Sequence, residues 1–292
     1  MTVFCLGSIN ADHVYQVPHL PAPGETLAAS AVQTGLGGKG ANQSVAAAKA
    51  GSVTQHIGAV GADGVWAVDA LRGFGVGVDH IRTSDAPTGH AIINVDPQAE
   101  NAIVIFAGAN LDQSAVDIQA ALATGGAGDW VLIQNETSHQ VDAAKAARTN
   151  GVKVAYSAAP FDAEAVKAML PFTDLLLMNE IEAAQLSDAL GVKTADLPVA
   201  KVLITAGAKG VDLLDTKTGE IVSNPAFSVD PVDTTGAGDT FAGSFVAGFE
   251  QGLSDVDALR RASATSAIQV TRVGAATAIP DAAEVEAFLS AQ

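Results

Sequence analysis

The segment Asp233-Thr234-Thr235-Gly236-Ala237-Gly238-Asp239-Thr240-Phe241 offers the strongest chemistry in the 292-residue chain. Small residues precede an apolar helical pattern carried by Phe241, Phe245 and Val246. Gly236 and Gly238 let a turn come close to a ligand, and the first-turn amides of the helix can then receive an anion. A carboxylate beside such a turn is a poor phosphate ligand, because like charges repel. Asp239 fits better as a general base facing a hydroxyl. The same residues also fit a capping turn in which Asp239 only complements the helix dipole.

Two further segments are candidates for ligand contact. Gly35-Leu36-Gly37-Gly38-Lys39-Gly40-Ala41-Asn42 matches the Gly-x-Gly-x-x-Gly of dinucleotide sites letter by letter. It lacks their context, since no clear core strand precedes it and no acidic residue follows at the required distance. Nor is it a P-loop, because Gly40 rather than Ser or Thr follows Lys39. It reads as a glycine-rich turn that brings Lys39 and Asn42 to a small polar ligand. Gly7-Ser8-Ile9-Asn10-Ala11-Asp12 lies just after the first predicted strand, where open α/β sheets bind their ligands. Asn10 and Asp12 carry acceptors and a donor suited to sugar hydroxyls, although a plain polar turn would look the same.

The elements that must hold these segments alternate between strand and helix. Strand patterns cover Val3 to Leu6, Val53 to Ile57, Trp130 to Gln134, Val152 to Tyr156, Asp174 to Met178 and Lys201 to Thr205. Most are nearly continuous apolar runs, as in strands buried on both faces. Helical patterns cover Asn42 to Lys49, Gly64 to Arg72, Ser138 to Arg148, Asp162 to Leu170 and Glu180 to Leu190. Three more follow, from Gly236 to Gly252, Asp255 to Val270 and Ala282 to Ser290. The alternation predicts an α/β fold with a mostly parallel sheet and right-handed crossovers. Two pieces break the rhythm. Leu20 to Gln33 is extended, and His90 to Val95 with Ala102 to Phe106 reads as a hairpin joined by residues 96–101. These pieces are assigned to a small accessory β-sheet, a lid over the site or a dimer contact, with strands from about 11–34 and 88–107 of one domain spanning 1–292.

Composition narrows the function. The net charge is −17, the sequence pI is about 4.5, and Lys and Arg form no cluster. Nucleic-acid binding and attachment to an anionic membrane are therefore not expected. The chain is 48% hydrophobic with a mean hydropathy of +0.28, which supports a large core and not disorder. The single cysteine, Cys5, lies within an apolar strand pattern and permits no disulfide within the chain. No basic segment with a long apolar stretch opens the sequence and no span-length apolar run occurs, so a soluble cytoplasmic protein is expected. The six histidines show no metal-ligand spacing, and no Gly-x-Ser-x-Gly elbow marks a hydrolase.

Taken together, the motifs resemble the ribokinase branch of the PfkB-type carbohydrate kinase family. Gly7-Ser8-Ile9-Asn10-x-Asp12, Pro23-Gly24-Glu25-Thr26, Gly37-Gly38-Lys39-Gly40-Ala41-Asn42-Gln43 and Ala107-Gly108-Ala109-Asn110 stand in the family order. Asn179-Glu180-x-Glu182, the Asp233–Phe241 segment and Thr271-Arg272-Val273-Gly274-Ala275 continue it, so the likeness covers nearly the whole chain. The resemblance implies a three-layer, Rossmann-like sheet flanked by helices, with a small β-sheet lid through which the chain would form a homodimer. It implies transfer of the ATP γ-phosphoryl to the primary hydroxyl of a sugar, typically O5 of D-ribose. Asp239 matches the base, and the amides of Gly236, Ala237 and Gly238 match the anion hole. Asn10, Asp12, Gly38, Lys39, Asn42 and Glu136 match sugar contacts. Thr205 and Gly207 match nucleotide contacts, with Gly238 and Ser263 at further nucleotide positions, and Asn179 and Glu182 match the segment that organises Mg2+ and phosphates.

The family also implies a K+ site, with Asp233 ligating through its carboxylate and Thr235, Gln269, Arg272 and Gly274 through backbone oxygens. Three positions depart from the pattern. Ser157-Ala158-Ala159-Pro160 stands where Asn-Pro-Ala-Pro is usual, Ser263 where Asn or His often flanks adenine, and Ala278 where a cation-ligating Ser is common. A water or Thr277 would then complete the cation shell. Two other functions are compatible with the motifs. One is a kinase of another sugar or a nucleoside. The other is a non-catalytic sugar sensor, which the intact Asp239 and Gly-Ala-Gly disfavour.

Overall fold

The computed structural model describes residues 1–98 and 100–292 of the chain. The elements, in order, are β1 (Thr2–Leu6), β2 (Asn10–Gln16), β3 (Ala31–Gly37), α1 (Lys39–Lys49), β4 (Val53–Gly61), α2 (Val65–Gly73), β5 (Gly77–Ser84), β6 (Gly89–Val95), β7 (Asn101–Phe106) and α3 (Ala115–Leu122). They continue with β8 (Trp130–Gln134), α4 (Gln140–Thr149), β9 (Lys153–Ser157), α5 (Ala163–Met169), β10 (Leu175–Asn179), α6 (Glu180–Leu190), β11 (Lys201–Thr205), β12 (Val211–Asp215), β13 (Ile221–Asn224), α7 (Ala237–Glu250), α8 (Asp255–Gln269) and α9 (Ala282–Ser290).

The larger sheet has nine strands in the order β13-β12-β11-β10-β9-β8-β1-β4-β5. It is parallel from β5 to β11, and β12 and β13 add an antiparallel edge. Helices cover both faces, which explains the unbroken apolar run of β1. Phe4 and Leu6 pack with Ile118, Ala143, Val166 and Met169 on one side. Val3 and Cys5 pack with Phe241, Phe245, Ala258 and Leu259 on the other. Burial pushes the Cys5 thiol up to about 11, so this residue is inert packing.

The second sheet has four strands in the order β3-β2-β6-β7. The expected hairpin is present as the antiparallel pair β6–β7, while Ala99 in its connection lies outside the described residues. Asn10 and Asp12 correct the polar-turn alternative, because both lie within β2. Strand β2 draws its hydrogen bonds from β3 on one side and β6 on the other. Those partners are remote in sequence, so a local pattern does not reveal it. The stretch 20–30 is irregular, and its extended expectation holds only from Ala31 onward, in β3. Among the described residues, no helix is long and apolar enough to cross a membrane.

Candidate active site

Helix α7 opens at Gly236, whose φ of +74° places it in the left-handed region where glycine is nearly free of strain. Asp239 follows in the first turn. Its carboxylate accepts hydrogen bonds from Asn42 Nδ2 (3.3 Å) and Gln43 Nε2 (3.0 Å), both on α1. Gln43 is itself fixed, because Gln134 Nε2 donates to Gln43 Oε1 (2.6 Å). Burial raises the Asp239 pKa, opposed by the Lys39 ammonium and by the Gln43 and Asn42 donors. The result is a carboxylate of more than ordinary basicity held at a fixed angle.

Lys39 begins α1 after Gly38, which has a φ of +93°. Close approach explains Gly40: a side chain there would collide with the backbone of Gly7 and, at 2.6 Å, with Ser8 N. This contact brings the turn after β1 against the start of α1. Glu136 caps the junction, accepting from the Ser8 hydroxyl and from Lys39 N–H (3.3 Å). The Lys39 pKa is raised, first by Asp239 and then, against the cost of burial, by Glu136 and Glu182. Lys39 therefore stays charged among three carboxylates. Asn10 is buried, and its Oδ1 accepts from Asn110 Nδ2 (2.7 Å), while Asn110 Oδ1 accepts from Ile9 N–H (2.9 Å).

Asp12 has a pKa pushed up to about 6 from an ordinary 3.8, first by burial and then by the nearby Glu136. A carboxyl whose folded pKa is raised favours folding at low pH, and that contribution is lost as pH rises from about 4 to about 6. Above that window the ionised Asp12 costs stability. Asp12→Asn is therefore expected to raise Tm at pH 8 by a few degrees and to lose that advantage near pH 4, in thermal melts of both forms. A lower Tm for the variant at pH 8 would show that the charge is stabilised by its surroundings.

Two cavities meet at α7. One, of about 220 Å³, is lined by Lys39, Asn179, Glu182, Thr205, Gly236, Ala237, Gly238 and Asp239. The other, of about 370 Å³, is lined by Thr205, Gly207, Gly238, Ser263 and an apolar set that includes Val211, Phe227, Val229 and Val270. Gly238 lines both, and a side chain there would meet no protein atom within 4 Å. Ala237 N–H turns back to Thr234 O (3.2 Å), so this one of the three expected anion-hole amides already has a protein acceptor.

Asn179 and Glu182 form a reciprocal capping box at α6: Asn179 Oδ1 accepts from Glu182 N–H and Glu182 Oε2 from Asn179 N–H, each at 2.8 Å. Ser263 Oγ accepts from Asn224 Nδ2 (3.0 Å).

The residues matched to a potassium shell lie together, and oxygens of Asp233, Thr235, Gln269 and Gly274 accept hydrogen bonds. Asp233 Oδ1 accepts from Thr235 N–H and Oδ2 from Gly274 N–H, both at 2.9 Å. Burial works to raise the Asp233 pKa, yet these hydrogen bonds hold it below its ordinary value. Thr235 O and Gly274 O both accept from Gln269 Nε2, at 2.9 and 3.3 Å. Gln269 O accepts from Arg272 N–H at 3.0 Å, and the Arg272 side chain pairs with Glu284. The amide nitrogen sits between the two carbonyls that a cation would have to bridge. As hydrogen-bonded here, this donor set does not fit a resident K+.

A model of the pfkB family carbohydrate kinases matches residues 2–282. The chain belongs to the PfkB family of carbohydrate kinases. A relative in this family, the ribokinase of Haemophilus influenzae, is 39% identical over 99% of this chain and 98% of its own. The Arabidopsis thaliana ribokinase solved with ribose and ATP superposes with a TM-score of 0.87, at 32% identity over 98% of each chain. The Thermotoga maritima ribokinase gives 0.89, at 32% identity over 99% of each chain. The PfkB fold expected from the motifs, a mostly parallel sheet between helices plus a small β-sheet, is the fold observed. Gln43, Gln134 and Asn110 were not assigned roles from sequence. Gln43 and Asn110 stand inside the family motifs, and that position was the available signal.

Proposed function

We propose that this chain transfers the γ-phosphoryl group of MgATP to O5 of D-ribose, giving D-ribose 5-phosphate and ADP. The observation that carries the proposal is the position of Asp239. Its carboxylate lines the cavity together with Lys39, feels the charges of Lys39 and Glu136, and is held by the α1 side chains of Asn42 and Gln43. The sugar contacts are Asn10, Asp12, Gly38, Lys39, Asn42 and Glu136. Asn42 Oδ1 is buried without a partner, an acceptor that a sugar hydroxyl would satisfy.

In this reading the O5–H proton passes to Asp239 as O5 bonds to the γ-phosphorus and the bond to the ADP oxygen breaks. Phosphoryl transfer depends mainly on positioning and on stabilising charge over the phosphoryl oxygens. Lys39 and the N-terminal turn of α7 at Gly236 and Gly238 supply that charge complement in a chain of net charge −17. The nucleotide base takes the apolar cavity, with Thr205, Gly207 and Ser263 as its polar contacts. Bound with ATP, Mg2+ would neutralise phosphate charge. Glu182 and Asn179 suit water-mediated contact with it, since Glu182 Oε1 is left over from the capping box.

Phosphorus NMR of the product tests the site of transfer. Phosphate on O5 couples to two methylene protons and gives a triplet, whereas phosphate on O1 couples to one proton and gives a doublet. A doublet would contradict the proposed orientation.

The small sheet supports a homodimer. Edge strand β7 exposes Ile103, Val104, Ile105 and Phe106 in succession. An uncovered apolar edge of this kind promotes association. Val104 shares a row with Ile92 and His13, out of phase with the Asp12–Ala91–Ile105 row. Sedimentation at tens of micromolar is expected to give twice the 29.3 kDa chain mass, and Val104→Lys a monomer. A monomeric wild type at that concentration would rule the interface out.

A further inference from the structure

The geometry points to Gln269 as a built-in replacement for the monovalent cation, so that this kinase works without one. The inference rests on the phosphotransfer reading for its consequence and on the hydrogen bonds for its basis. Gln269 closes α8 and is fully buried. Its side-chain nitrogen bridges Thr235 O (2.9 Å) and Gly274 O (3.3 Å). Both partners are backbone carbonyls, which only accept, so the atom facing them is the NH2 end of the amide.

Two further observations agree. Gln269 Oε1 is buried with no partner, an orphan that a space-filling leucine would not leave. The side chain is therefore kept polar for what its nitrogen does. Ala278, buried at the place of an expected serine ligand, has no side-chain oxygen to offer an ion.

The bridge has a defined mechanical effect. Thr235 immediately precedes Gly236, where α7 begins, and Gly274 lies in the turn after α8. Tying their carbonyls to one amide fixes the turn that presents the α7 amides. An ion would do this by gathering the same oxygens around a charge. A tethered amide does it without the entropy of capturing an ion from solution. Asp233 completes the lock by accepting from Thr235 N–H and Gly274 N–H. Gln269 is accordingly a positioning residue that acts through the turn.

The test compares chloride salts of choline, sodium and potassium at constant ionic strength. Turnover with MgATP and D-ribose and thermal melting are measured in each. Wild-type kcat is expected to agree within about twofold across the salts, with one Tm. Gln269→Ala is expected to lose about tenfold or more in choline. Potassium should restore part of that loss and raise the variant's Tm, because the vacated carbonyls can then take the ion. Potassium stimulation of the wild type beyond about twofold, or a potassium-specific rise in its Tm, overturns the inference. So does full turnover of Gln269→Ala in choline. If the variant does not fold, the wild-type comparison decides alone. The melting arm needs no turnover, so it stays readable even if D-ribose is not the substrate.

Discussion

Asp239→Asn is expected to lower kcat about 10³-fold while D-ribose affinity changes by no more than about threefold. The substitution keeps the shape of the side chain and one oxygen to accept from Asn42 or Gln43. It removes the group that receives the O5 proton. The remaining rate comes from alignment of the two substrates and from the charge complement of Lys39 and the α7 terminus, which the variant retains. Initial-rate kinetics together with calorimetric sugar binding separate the two effects. Equal loss of affinity and rate would make Asp239 a binding residue. An unchanged kcat would remove it from the mechanism. The raised pKa of Asp239 adds a sign: the acid limb of the wild-type kcat/KM profile should lie above the ordinary carboxylate value.

The second large effect is expected at Gly243, one turn beyond Asp239. Helices α1 and α7 cross there so closely that a methyl group on Gly243 would strike the Gln43 carbonyl oxygen and lie 2.7 Å from Ala46 Cβ. The oxygen is backbone, so α1 must withdraw from α7. Gln43 and Asn42, which hold the Asp239 carboxylate, ride on that same turn of α1. Gly243→Ala thus combines overpacking with misplacement of the base. Overpacking costs about 1–3 kcal/mol, which lowers Tm by several degrees. Displacement by about 1 Å costs about 10²-fold in kcat/KM. Gly73→Ala, at the exposed end of α2, meets no atom within 4 Å and serves as the matched control. Wild-type kinetics in Gly243→Ala would show that α1 does not set the geometry of the base.

Much of the fold was legible where one segment carried its own signal. Helices α6 and α9 begin and end where their patterns do, because capping boxes at Asn179/Glu182 and Asp281/Glu284 mark their starts. Strands β8 and β11 likewise match their apolar runs. What escaped depends on distant partners. Strand β5 is too polar to read as a strand and is fixed by its pairing with β4. The β12–β13 edge and the short α3, capped by Ser114, gave equally little.

The site divides in the same way. Asp239 and the Gly236–Gly238 turn stood out through their own spacing, since a glycine-rich helix start is a local device. The apolar cavity was invisible because its wall draws on β12, the segment 226–231 and two helices. Gln269 was read for its backbone oxygen. The importance of its side chain appears only when Thr235 and Gly274 are folded onto the end of α8.

The most direct measurement is ADP release from MgATP by the purified chain, sugar by sugar, across D-ribose, 2-deoxyribose, fructose, tagatose and representative nucleosides. The account predicts turnover that depends on D-ribose and far exceeds that with the other members. Turnover confined to another member would contradict the sugar contacts assigned to Asn10, Asp12 and Glu136. Binding of D-ribose with no ADP release from any member would contradict catalysis itself.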